Sequence, residues 1–365
     1  MRALALAAVV IIHAGAWLTV PGAPPNAGAI AALVAVARFS VPAFVFVSGF
    51  TLMHQYSGRD LSCSFFLAKR FRRIALPWLA GVAVFGMVAR WQGVIATSSS
   101  LIDWLASGPG HLYFLVLLAQ LYLIFPLLPR RSGSLAMVAL AALALQLSCG
   151  WALTYLTPPP GAPAWFAQYM APETFVLWIG YFVLGALAGL SSVRILRLSQ
   201  LWPLALAAAL GMSALLLWEG TMVRPDDTHQ GMYGFFWLSR LPMTVTWILL
   251  IAWLAHQLVQ RIPAILAVTR SLSQHGLGIY VFHQIVLVFI GPPTNFLPTA
   301  PRFLLLWGAT IVTTTLGVEL ATKTRFGRLL VGEEAQPTRA AAQRRPARRH
   351  VPIIRHGTPA SHAPS

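Results

Sequence analysis

Arg2 and His13 stand eleven residues apart in the opening run MRALALAAVVIIHAG. At 3.6 residues per helical turn this is about three turns, so both side chains leave one face, roughly 16 Å apart along the axis. Imidazole changes charge near neutral pH and can take a proton from a hydroxyl and return it. Further along, FFLAKRFRRIALPWL places Arg70 and Arg73 three apart on one helix face, with Lys69 and Arg72 beside them. Forked guanidinium groups in such a cluster suit bidentate binding of phosphate, and ordinary anchoring at a membrane surface is the plainer role. GLGIYVFHQIVLVF carries Tyr280 and His283, also three apart on one face.

Composition supplies the frame for these groups. The 365 residues are 57% hydrophobic and only 10% charged, with a mean hydropathy of +0.70. A water-facing domain of this size carries about 25% charged residues. The 26 Lys and Arg against 9 Asp and Glu give a net charge of +17, but the positives are spaced between apolar segments, which excludes a nucleic-acid partner. The sequence predicts an all-α polytopic membrane protein in the lipid bilayer. About ten transmembrane helices are expected, near 3–20, 29–53, 73–90, 111–128, 134–153, 173–190, 201–218, 237–259, 276–291 and 302–321. Arg2, Arg59, Lys69, Arg70, Arg72, Arg73, Arg130, Arg131, Arg194, Arg197, Arg261, Arg270, Lys323, Arg325 and Arg328 gather on one side against Arg38, Arg90, Arg224, Arg240 and Arg302 on the other, which places both termini in the cytoplasm. Residues 1–330 form the membrane domain, and 331–365, rich in Pro, Arg and Ala, read as a disordered basic cytoplasmic tail.

A second account of the first segment treats it as a signal peptide ending in Ala14, Gly15 and Ala16, whose removal would take Arg2 and His13 with it. The abrupt opening also fits a start further upstream. If the segment stays, His13 lies near mid-membrane, where ionisable side chains face a bundle interior or a water-filled cavity. The second span, RFSVPAFVFVSGF, brings Arg38 to a similar depth, with Ser48 and Gly49 near its inner end as small residues that permit close helix approach. HLYFLVLLAQLYLIFPLL adds His111 and Tyr113 at the outer end of a span, and Gln120 and Tyr122 within it. His13 and His283 together point to a polar cavity. No third ligand at suitable spacing accompanies them, so no metal is expected. Cys63 and Cys149 do not make a disulfide framework.

Taken in order, the R…H opening, VPAFVFVSGF, KRFRRIALPW, HLYFL…Y…FPLL and GLGIYVFH resemble the acyltransferase 3 family of integral-membrane O-acyltransferases over roughly residues 2–330. The resemblance implies transfer of an acyl group, acetyl foremost, from cytoplasmic acyl-CoA to an envelope glycan, glycolipid or lipid-linked acceptor, as in polysaccharide O-acetylation at the plasma (inner) membrane. It implies that His13 is the catalytic histidine, that Arg2 pairs with it, and that Arg70 and Arg73 lie near the CoA phosphates. Tyr280 and His283 match a late Tyr/His span. Some relatives have a glutamate before an aromatic where LAQLY here offers Gln120, which leaves open what orients His13.

With this resemblance, CoA phosphates are expected on Arg70, Arg73, Lys69 and Arg72, the thioester near His13, and the acceptor hydroxyl entering from the outer side. Arg38 or Tyr280 is the expected oxyanion stabiliser. A transporter or flippase gated by buried His and Arg is the competing reading, and a sensor or scaffold a third. The outer loop with Asp226, Asp227 and His229 offers sugar contacts, or is simply hydrated.

Overall fold

The chain is all-helical in the computed structural model, which describes residues 1–18, 27–93, 110–155, 174–190, 197–198, 200–222 and 239–333; no strand occurs among them. The helices are α1 (Arg2–Ala16), α2 (Ala27–Ala37), α3 (Ser40–Tyr56), α4 (Cys63–Trp91), α5 (Tyr113–Ile124), α6 (Ser132–Tyr155), α7 (Ile179–Leu190), α8 (Trp202–Met222), α9 (Arg240–Arg261), α10 (Pro263–Gln274), α11 (Gly276–Ile290), α12 (Thr299–Ala321) and α13 (Arg325–Leu330).

The ten apolar stretches expected from sequence are helical over most of their described residues, with a turn at Arg38 and Phe39 inside the second. Among the described residues seven spans are long and apolar enough to cross a membrane, with α2 and α3 joined as one, and an eighth if α10 and α11 count together. The stretches near 3–20 and 173–190 are the shorter apolar helices α1 and α7. Large apolar side chains such as Met87, Met137, Leu204 and Leu316 point outward, as expected of helices bathed in hydrocarbon. The protein is a multi-pass membrane protein.

Three local features position the interior. Arg38 and Phe39 form a turn between α2 and α3. Pro42 has no N–H to return to the Arg38 carbonyl, so the helix loosens there and resumes at Ser40. Between α3 and α7, a Cβ on Gly49 would collide with the Phe182 carbonyl, and one on Gly185 with the Phe46 carbonyl. The backbones of these two helices therefore touch, the close approach expected of Gly49. Finally, α10 and α11 meet at 77° around His275, and α10 buries none of its residues.

The packed chain runs through Glu333, three residues into the stretch read as tail. Val331 is 3% exposed, Gly332 turns with φ +73°, and Glu333 pairs with His275 at the elbow. An apolar side chain beside Gly278 and Val318, followed by the contact of Glu333 with His275, holds this segment to the bundle. Residues 334–365 lie outside the described residues, as do Asp226, Asp227 and His229.

Candidate active site

Three histidines from distant parts of the chain meet inside the bundle. His13 comes from α1, His111 from the 3-10 turn Gly110–Leu112 that leads into α5, and His283 from α11. Their ring centroids are 4.9 Å apart for His13 and His283, 5.5 Å for His111 and His283, and 6.1 Å for His13 and His111. Gly81 of α4 makes this convergence possible, because a Cβ there would press on both Val281 and Leu112. His283 is fully buried and His111 nearly so, whereas His13 keeps accessible surface. Of the three rings, His13 is the one with surface left to meet a reactant. The rings are not arranged as a metal site: no group of three His, Cys, Asp or Glu suited to one occurs among the described residues.

Hydrogen bonds fix the outer edges of two rings. His283 Nδ1 donates to the Tyr280 carbonyl at 2.7 Å, one turn back on its own helix. His111 Nε2 donates to the Val281 carbonyl at 3.0 Å. The Tyr280 hydroxyl donates to the His111 carbonyl, so it holds the turn that carries His111. On His13, Gln284 supplies the contact: its amide nitrogen is 2.8 Å from Nδ1 and 3.3 Å from Nε2. Arg38, at the Pro42 break, acts electrostatically on His13 and interacts with Tyr113.

The arginines gather near the other end of α1. Arg2 donates to Thr51 Oγ1 at 3.0 Å and lies within electrostatic reach of Arg70, Arg73 and Tyr122. Arg70 donates to Gln55 Oε1 at 3.3 Å, and its guanidinium lies 5.7 Å from the ring centroids of both Phe66 and Tyr122. Arg130 lies over Phe125 and donates to the Tyr56 carbonyl at 2.9 Å. Four aromatic rings, Tyr56, Phe66, Tyr122 and Phe125, thus form a floor under a basic mouth. Cations held on aromatic faces keep their orientation and their charge.

A mouth of fixed positive charge at one end of a helix and an accessible imidazole three turns along it suit a reactant with an anionic head and a reactive tail. The acyltransferase 3 family model, an acyltransferase domain, matches residues 1–321. The chain belongs to this family. No curated protein and no solved structure matches it. The acyltransferase identity favours chemistry over transport as the use of the buried His and Arg.

The acyltransferase brings together most of the residues singled out from sequence. Arg2, Arg70, Arg73 and Tyr122 share the mouth, and His13, His283, Tyr280 and Arg38 share the interior. Lys69, Arg72 and Arg73 are all exposed on α4, and of the three it is Arg73 that lies within electrostatic reach of Arg2. Ser48 bonds the Phe44 carbonyl of its own helix at 2.8 Å. Gln120 accepts from the Phe175 backbone at 3.0 Å, an interhelical tie. Two members of the site did not stand out in the sequence. His111 reads from sequence as a span end, and the signal for Gln284 is the polar dipeptide His283–Gln284 in an otherwise apolar run.

Proposed function

We propose that this acyltransferase moves an acyl group, acetyl the simplest, from cytoplasmic acyl-CoA to a hydroxyl of an envelope glycan, glycolipid or related lipid-linked acceptor, with His13 as general base. The observation that carries the reading is the placement of His13, partly accessible beside His111 and His283 on the helix whose other end brings Arg2 within electrostatic reach of Arg70 and Arg73. Arg70, Arg73 and Arg2 would receive the CoA phosphates, with Lys69 and Arg72 adding field from outside. The pantetheine arm then spans the roughly 16 Å from Arg2 to His13. His13 withdraws the hydroxyl proton as the oxygen attacks the thioester carbonyl, the C–S bond breaks, and the proton passes to the departing sulfur to give the free thiol. Arg38, a cation within reach of His13, is the group suited to the negative charge of the tetrahedral intermediate. The excess of Lys and Arg on one side supports a plasma-membrane protein with both termini in the cytoplasm.

The test is incubation of the purified protein in lipid nanodiscs with [14C]acetyl-CoA and extracted envelope glycolipids. Saturable, CoA-releasing transfer of label that disappears in folded His13→Ala supports the reading. Full transfer by that variant refutes it.

A further inference from the structure

His283 Nε2 and His111 Nδ1 are buried and find no hydrogen-bond partner among the described residues. The carbonyls on the far edges of their rings dictate their protonation. A carbonyl oxygen only accepts, so His283 Nδ1 carries the hydrogen it gives to Tyr280, and Nε2 is a bare lone pair. By the same argument His111 Nδ1 is bare, because Nε2 donates to Val281. A bare acceptor buried in an apolar bundle is costly unless a donor meets it at some stage of the cycle.

Of the two imidazoles beside His283, His13 is the nearer, its ring centroid 4.9 Å away and its plane tilted by 49°. The Gln284 amide nitrogen is nearer His13 Nδ1, at 2.8 Å against 3.3 Å for Nε2, and an N–H given to Nδ1 puts the neutral ring's own hydrogen on Nε2. A carboxylate orients the base histidine in many acyl-transfer sites. The groups acting on His13 here are His283, His111 and Arg38, and none is a carboxylate among the described residues.

We propose that His283 is the positioning partner of His13, taking the His13 Nε2–H on its bare Nε2 while His13 Nδ1 withdraws the proton of the acceptor hydroxyl. The inference rests on the acyl-transfer reading above. In it the hydroxyl takes the place of the Gln284 amide at Nδ1. As the C–O bond forms and the C–S bond breaks, the Nδ1 proton goes to sulfur and both rings return to their starting tautomers. A neutral imidazole then orients the base and spreads its positive charge without a second ion in the bundle. The titratable and charged groups facing the pair are Arg38, His111 and Tyr280.

Two measurements test this. In protein labelled with 15N-histidine, long-range 1H–15N spectra assigned with His283→Gln are expected to show the Nδ1–H tautomer at His283 and Nε2–H at His13. The opposite tautomer at His283 overturns the proposal whatever the acyl donor proves to be. With [14C]acetyl-CoA and methyl β-D-glucopyranoside as hydroxyl probe, His283→Leu is expected to lower kcat about 10- to 100-fold with KM for acetyl-CoA unchanged. Its acid limb moves to lower pH, because the imidazolium has lost its acceptor. His283→Gln, whose amide oxygen can accept the same N–H, regains part of the rate. A folded Leu variant with wild-type kcat and acid limb overturns the pairing; if it does not fold, a Gln variant slowed through a raised KM for acetyl-CoA does so. If wild type labels neither the glucoside nor glycolipid, the acyl-CoA reading fails, and the spectra still decide the tautomers.

Discussion

Gln284 Nε2 lies 2.8 Å from His13 Nδ1 and joins two residues 271 positions apart. A neutral amide at this point leaves the ring nitrogen a lone pair, and a carboxylate would not. Gln284→Glu is therefore expected to draw the ring hydrogen to Nδ1 and to stabilise the imidazolium. An anion beside the ring keeps the base protonated to higher pH, so the acid limb of the rate profile rises by about 1 pH unit or more and the rate near neutrality falls. A pH–rate profile of the variant checks the sign.

Arg70 and Arg72 test the basic mouth against its outer surface. Arg70 lies over two rings and bonds Gln55, whereas Arg72 is exposed. Lysine cannot reproduce the planar fork at the first position. Arg70→Lys is expected to raise KM for acetyl-CoA about tenfold, the loss of one charge-assisted contact, while Arg72→Ala changes it less than about twofold. Steady-state kinetics with varied donor separates the two.

The seam between α3 and α7 should tolerate almost nothing. A Cβ at Gly185 meets the Phe46 carbonyl, which is backbone and cannot rotate away. Gly185→Val is expected to cost about 1–3 kcal/mol or more through overpacking. Thermal unfolding in detergent reports it as a lowered Tm, with Gly211→Val, where a Cβ meets nothing within 4 Å, as the control.

The C-terminal boundary gives a fourth expectation. Truncation after Glu333 leaves Tm unchanged. Truncation after Leu330 removes the buried Val331 and the Glu333 partner of His275, and lowers Tm. Paired melting curves of the two truncations decide it.

Much of this was legible in the sequence, for identifiable reasons. Apolar length located the helices, and helical spacing put Arg2 and His13 on one face of α1. Gly49 was read correctly because a missing side chain has few other uses in a span. The cluster of three histidines was not legible. Periodicity tells which face turns inward but not which distant segments share the space there. His111 reaches the interior from a short turn beside the notch at Gly81, and neither residue carries a pattern that links it to His283. The break at Arg38 was written in Pro42, four residues on, yet apolar length alone reads through it.

Two helices whose main chains touch at Gly49 and Gly185 have no compressible layer between them. They behave as a single strut. Whatever yielding the interior needs to admit bulky reactants has to be sought outside this pair, among helices kept apart by their side chains.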